Sequence, residues 1–359
     1  MKLTDKYILG KFLKILCFSL VAFILIVIIV DLVENIDRFI DNKAPLILVV
    51  SYYLHYVPFI IVLALPVATL LSTMFTIGSL AKYHELEVMK ATGISLYRLI
   101  TPLLVTGFLI SILLIAFSDL VVVPANYKKD QIKKMGIEKK KAPVGITRTN
   151  IIKAGQNGWV LFAQTYNEKE DRGNFVVINK IENNQVKIAI KAEAMMWADS
   201  GWILTNATKR TFEKNHEVEF IAYDTLYAGF LSHTPAIMKH KLKKARDTRF
   251  FELLNRIKLK KSMGQDTAKD KVELYLKISF PFINFIIILL GIPLAANPRR
   301  SGGTIGFGLS IIISFIYFVI LRAGQSFGYN NKLPPALAAT IGNIIFLAVG
   351  LIMFFKTRK

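Results

Sequence analysis

Six stretches of this chain run apolar for 19 or more residues with almost no charge, and nothing else in the sequence constrains its fold as strongly. Each is long enough for a helix to cross the hydrocarbon core of a bilayer, which takes about 20 residues. Lipid offers the backbone no hydrogen-bond partner, so such a stretch must close its own bonds as a helix. With 53% hydrophobic and 20% charged residues, a soluble enzyme of one or two domains is excluded. The single cysteine, Cys17, rules out an intrachain disulfide, a CxxC redox pair and a cysteine-rich metal site. A net charge of +21 on a soluble protein would point to nucleic acid; on a membrane protein it points to anionic lipid or a charged cargo.

The first stretch, residues 12–33, is interrupted only by Lys14 and Asp31. Its uninterrupted part exceeds the roughly 7–15-residue core of a signal peptide, and DLVENIDRF follows with no small-residue cleavage site, so it reads as a retained helix. The second stretch, 44–81, holds 38 residues without a formal charge. As one helix it would be roughly 57 Å long, about twice the hydrocarbon thickness. Pro58 and Pro66 offer break points, which predicts an interfacial or out-of-membrane segment at 45–56 and a span at 57–80. Further spans are predicted at 99–118, 278–296, 303–321 and 336–355. The expected fold is an α-helical membrane protein of six transmembrane helices, three plus three, around an inserted domain. The domains are then 1–123, 124–272 and 273–359.

Short loops set the orientation. An N-terminus in the cytoplasm places Lys2, Lys6, Lys11, Lys14, Lys82, Lys90, Arg98, Arg299, Arg300, Lys356, Arg358 and Lys359 on that side. DLVENIDRFID and FGYNNKLPP then lie outside, as the positive-inside rule requires. Residues 124–272 lie outside too, with 29 Lys+Arg against 16 Asp+Glu, a net of +13. Long domains translocate largely regardless of charge, so the assignment stands.

Within 145–231 the pattern changes to period two. VVINKI, VKIAIKAEA, GWILTNATKRTF and EVEFIAYDTLYAGF alternate apolar and polar residues between turn clusters, which predicts an antiparallel sheet, either a sandwich or an open barrel. Trp159, Trp197 and Trp202 are expected in its core or rim, although a sheet lining acyl chains would look the same in sequence. After Pro235, TRFFELLNRIKLKKSMG carries an amphipathic stripe of Phe251, Leu254, Ile257 and Leu259, expected in a helix that returns the chain to the membrane. DNA binding by this basic helix does not fit an extracytoplasmic location.

Catalytic signatures do not assemble. His55, His84, His216, His233 and His240 are scattered, and the string begun by His84 and Glu85 reaches Val88 where a zinc protease needs its second histidine. No GxxxxGK[ST] phosphate loop is present, and GGTIGFG at 302–308 opens a membrane helix rather than following a strand. Its Gly302 and Gly306 read as helix packing.

Four stretches together resemble one family: LTDKYILGKFLK, ALPVATLLSTMFTIGSLAKYHELEVMKATGISLYRL, LLGIPLAANPRRSGGTIGFGLS and LPPALAATIGNIIF. They are similar to the lipopolysaccharide export permeases LptF and LptG, with ENIDRFID after the first span favouring the LptG side. The resemblance implies six transmembrane helices with a periplasmic β-jellyroll, in a pair of such subunits driven by a cytoplasmic dimer of the ATPase LptB. It implies no cofactor in this chain, with ATP and Mg bound by the partner. The cargo, lipopolysaccharide, would leave the outer leaflet of the inner membrane and pass through the jellyroll toward LptC and LptA.

The cytoplasmic stretch 81–92 is then expected to be a coupling helix, since HELEVM within it matches that of the family, with Glu85 at the acidic position that pairs with the ATPase. His84, Glu87, Met89, Lys90 and Gly93 complete the segment, and Gly93 is expected to end the helix. The competing reading is a solvated interfacial loop, whose ion pairs would be worth only about 0–1 kcal/mol. Arg38, Lys43, Lys128, Lys277 and Arg322 recur at the outer ends of spans. They either snorkel toward headgroups or converge on one cavity to bind lipid A phosphates. Gly302, Gly303, Gly306 and Gly308 would allow close packing at a lateral seam between spans one and five, where family members gate. Two other classes compete. A lipoprotein-releasing or mechanotransmitting ABC permease would have four spans per subunit. A lipid-modifying enzyme would have to use the outer acidic group Asp31, Glu34, Asp37 and Asp41.

Overall fold

The architecture comes from a computed structural model that describes residues 3–93, 95–138, 147–182, 185–198, 201–213, 216–238, 244–262, 265–296 and 303–356. The chain forms two compact units, one of Met1–Lys139, Ala245–Phe250 and Ala268–Lys359, the other of Lys140–Lys244 and Phe251–Thr267.

The first unit begins with α1 (Leu3–Asp41), α2 (Leu46–Lys82), the short α3 (Glu85–Ala91), α4 (Leu96–Phe117) and α5 (Val123–Gln131). Apart from α2, each span is longer than its apolar run, because polar turns at the ends stay helical beyond the hydrocarbon. The third is the extreme case. A π-helical stretch at Ser118–Val122 joins α4 to α5 and a second, Ile132–Ile137, extends α5, so helix continues well past residue 118, where the predicted span ends.

The break expected in the second stretch does not occur. α2 runs unbroken through Pro58 and Pro66, since tertiary packing supports a membrane helix where a proline withholds its N–H. Its first turns continue the same helix and bury Tyr52 and Tyr53 with Ile137, against Phe39 of α1.

The second unit carries the inserted sheet: β1 (Thr147–Ala154), β2 (Trp159–Asn167), β3 (Arg172–Glu182), β4 (Gln185–Ala198), β5 (Gly201–Glu213) and β6 (His216–Ala228). All neighbours pair antiparallel in sequence order, so the strand order left open by the sequence is a meander. One face buries Leu161, Tyr166, Ile178, Met195, Trp202 and Leu204. Trp202 is fully enclosed, with Tyr166 and Trp197 edge-on to it, and its indole N–H donates to the carbonyl of His233. Trp159 and Trp197 are partly buried at the margin.

Then come α6 (Pro235–Met238) and α7 (Phe250–Ser262). Of the stripe predicted on α7, Ile257 is buried and Leu254 and Leu259 are partly buried, while Phe251 is 76% exposed and Leu253, outside the stripe, is buried. The buried face runs through Leu253 and Ile257, at i and i+4, and leaves Phe251 outside it.

The chain returns through α8 (Ala268–Ser279), a 3-10 turn at Phe280–Phe282, α9 (Ile283–Ala295), α10 (Gly303–Tyr329) and α11 (Pro335–Lys356). Six helices of the described residues are long and apolar enough to cross a membrane. α2 and α8–α9 form the centre, with 72% and 67% of their most apolar windows buried, against 11% for α1. Thr69 bonds Asn284 across that centre, and Asn284 in turn donates to the carbonyl of Pro281.

Candidate functional site

The end expected in the cytoplasm is built by α3 and its flanks. α2 stops at Lys82, and His84 takes a left-handed φ of 59°, which turns the chain sharply. Its Nδ1 lies 2.7 Å from Glu87 Oε2, closing the turn over the first residues of α3. Glu85 and Glu87 occupy that first turn, where unpaired backbone N–H groups favour negative charge. Leu86 is buried in the helical core with Met89 packed beside it, while Glu87 and Val88 are exposed and Lys90 is half-buried. Gly93, at φ 81°, follows the last turn in a conformation that L side chains resist. Ser95 then caps α4 by accepting the N–H of Arg98. Two α1 side chains reach this element: Tyr7 donates to Glu85 at 3.0 Å, and Asp5 pairs with Arg98 at 2.9 Å. The result is a short acidic helix, fixed to the core by Leu86 and open along one face.

At the opposite end, the five predicted cations do not share one environment. Arg38 is exposed and donates to Asn35 of its own helix. Lys43 is exposed at a left-handed turn after α1, and Lys128 is exposed on α5. Lys277 pairs with Asp119 at 3.3 Å, and Arg322 donates to Gln325, which reaches Glu273 together with Tyr329. Lys277 and Arg322 do meet. Both line a cavity of about 170 Å³ with Arg246, Asp247, Glu273 and Asn126.

Sequence reasoning missed three further cations there. Lys129 lies 4.5 Å from the ring centroid of Tyr56, Lys133 lies 5.8 Å from that of Tyr52, and Arg246 lies 5.7 Å from that of Phe59. The signal was present: Tyr52, Tyr56 and Phe59 recur at helical spacing on α2, and Lys129 and Lys133 at i and i+4 opposite them.

Of the seam glycines, Gly302 lies outside the described residues. Gly303 opens α10, Gly306 packs near Met74 of α2, and a side chain at Gly308 would meet nothing within 4 Å. In the outer acidic group, Asp31 accepts from Tyr53, while Glu34, Asp37 and Asp41 are exposed. Among the described residues, no group of three or more His, Cys, Asp or Glu could hold a metal.

Residues 6–356 match the family model for the lipopolysaccharide export system permease LptF/LptG. The chain belongs to this family. It is 22% identical over 357 residues to the lipopolysaccharide export system permease protein LptF of Escherichia coli K12, covering 97% of this chain and 93% of that protein. LptF of Shigella flexneri matches equally. Both relatives are LptF, so the preference for the LptG side gains no support and membership rests at LptF/LptG as a whole. The chain is thus a permease of the LptF/LptG type, and its six apolar helices make it a multi-pass inner-membrane protein.

Proposed function

We propose that this chain is the transmembrane subunit of an ABC transporter that extracts lipopolysaccharide from the outer leaflet of the inner membrane and hands it to a periplasmic bridge. The observation that carries this reading is α3. It offers Glu85 and Glu87 at its first turn while Leu86 anchors it in the core shared by α2 and α4. A helix so mounted transmits a push rather than absorbing it. The push would come from an LptB-like ATPase dimer that binds ATP and Mg, leaving this chain non-catalytic and without a cofactor of its own. In this reading both termini and α3 face the cytoplasm and the sheet faces the periplasm.

α1 exposes Phe18, Val21, Leu25, Ile26, Ile29 and Val33, and this uncovered face suits a paired LptF/LptG-like subunit. α10, with Gly308 open, would complete the lateral seam. Arg38, Lys43, Lys128, Lys277 and Arg322 would meet lipid A phosphates as the cavity between subunits fills. The exposed edge strand β6 suits strand addition by LptC- or LptA-like sheets.

Reconstitution with the ATPase and a periplasmic acceptor tests the reading. Glu85→Arg is expected to abolish lipid release while the membrane unit stays folded by thermal melt and size exclusion. Unchanged release would refute it.

A further inference from the structure

α1 grips α3 from both flanks. At the first residue of α3, the Tyr7 hydroxyl donates to Glu85 Oε2 at 3.0 Å. Beyond the far end of α3, in the first turn of α4, Arg98 Nη2 meets Asp5 Oδ2 at 2.9 Å. These contacts join residues 78 and 93 positions apart, so neither is a local helix pair. The Asp5 side chain is only 9% exposed, against 43% for Arg98. Sheltering the carboxylate from water strengthens its attraction to the guanidinium above that of an open surface pair.

The rest of α1 shows why the grip matters. Ile8, Phe12 and Leu16 are buried in the same core cluster as Leu86, Leu99 and Ile100. Beyond Ser19, Asn35 is the only buried α1 residue, and the apolar side chains from Val21 to Val33 are largely exposed. The helix, roughly 58 Å in all, is thus held at its base in the core and again farther out, where Ile28 and Phe39 pack on Tyr52 and Tyr53 of α2 and Asp31 accepts from Tyr53, while the face between stays uncovered. A tilt imposed at the base is therefore passed along α1 to its outer turns, where Arg38 sits, together with the α2 side chains packed on them.

We infer that Asp5 and Tyr7 are positioning residues that lock the base of α1 to both ends of the α3 corner, Tyr7 to the first residue of α3 and Asp5 to the first turn of α4, so that α1 moves with that corner rather than only through its packing on α2. This rests on the reading of α3 as the coupling element and adds the route by which its motion reaches the uncovered face of α1. Tyr7 has a second consequence, because it occupies one oxygen of Glu85 from within the chain. A cationic partner group must share that carboxylate with Tyr7.

The test uses the full chain with its co-purifying ATPase in liposomes containing lipopolysaccharide, scored as lipid released per ATP hydrolysed. Asp5→Asn combined with Tyr7→Phe is expected to retain the ATPase and its hydrolysis but to lower that ratio about tenfold, a typical coupling of about 1.4 kcal/mol. Exchanging the charges, Asp5→Arg with Arg98→Asp, is expected to recover most of what Asp5→Asn alone loses. Spin labels at positions 13 and 88, in a Cys17→Ser background, give a readout independent of transport. Their separation should stay fixed on nucleotide binding in the parent and broaden in the double variant. An unchanged ratio, a charge exchange that fails to recover it, or label distances indifferent to the substitutions would each overturn the clamp. Failure of the underlying reading registers separately, as Glu85→Arg retaining normal release.

Discussion

Lys277 Nζ lies 3.3 Å from Asp119 Oδ1, and the same oxygen accepts the backbone N–H of Phe250 at 2.8 Å. Asp119 can serve both because it sits on the π-helical stretch after α4, where an extra residue in the turn re-aims a side chain. The two side chains are 12% and 24% exposed, so the pair is largely withdrawn from water. Removing Lys277 leaves the carboxylate with one donor; removing Asp119 withdraws the acceptor that the Lys277 ammonium and the Phe250 N–H share. Asp119→Ala is therefore expected to cost about 3 kcal/mol and Lys277→Ala about 1–2 kcal/mol. Thermal unfolding in detergent gives the ranking. Should Lys277→Ala leave stability intact but cut lipopolysaccharide binding, the cation serves the cargo rather than the fold.

Neighbouring lysines on α5 should behave differently. Lys129 is 15% exposed and faces Tyr56 and Phe59, whereas Lys128 points into solvent. Lys129→Gln is expected to lower stability by about 1 kcal/mol through loss of the cation–ring attraction. Lys128→Gln should stay within about 0.5 kcal/mol, as surface substitutions do. Equal melting shifts would show that the rings do not select between them.

The six spans and the inserted sheet were legible because each is written in a local pattern: long apolar runs for the first, period-two alternation for the second. α3 was legible as well, since His84, Glu85, Glu87 and Gly93 form one short charged block between two spans. What the sequence did not reveal is which cations are already engaged within the chain. Lys277 and Asp119 are 158 positions apart and Arg246 lies far from Phe59 in sequence, so no spacing rule links them. The continuity of α2 through two prolines was equally hidden, because its support comes from the helices packed around it. Asp5 and Tyr7 stand among Lys2, Lys6 and Lys11, and their partners lie 93 and 78 positions away, beyond any local pattern.

Close helix approach makes a sharper stability test. A Cβ at Gly324 would fall 2.7 Å from the carbonyl oxygen of Ala338, a backbone atom of α11 that cannot swing aside. Gly324→Ala is expected to force α10 and α11 apart at a cost of about 1–3 kcal/mol. Gly308→Ala meets nothing within 4 Å and should leave the isolated chain unchanged. A bulkier Gly308→Leu, read by co-purification of a paired subunit, asks whether that open face is used between subunits.

Trp202 decides what the inner face of the sheet touches. It is fully enclosed, flanked by Tyr166 and Trp197, and its indole N–H is committed to the carbonyl of His233. Trp202→Phe keeps much of the apolar contact but withdraws that donor, and is expected to cost about 1–3 kcal/mol. In a chain carrying Trp159→Phe and Trp197→Phe, the remaining indole should emit at short wavelength. Lipopolysaccharide with brominated acyl chains should fail to quench it if packing alone fills this site. Strong quenching during ATP-driven transport would show that the sheet opens to admit acyl chains as far as Trp202, and the energetic role assigned to the indole N–H would then belong to the closed state alone.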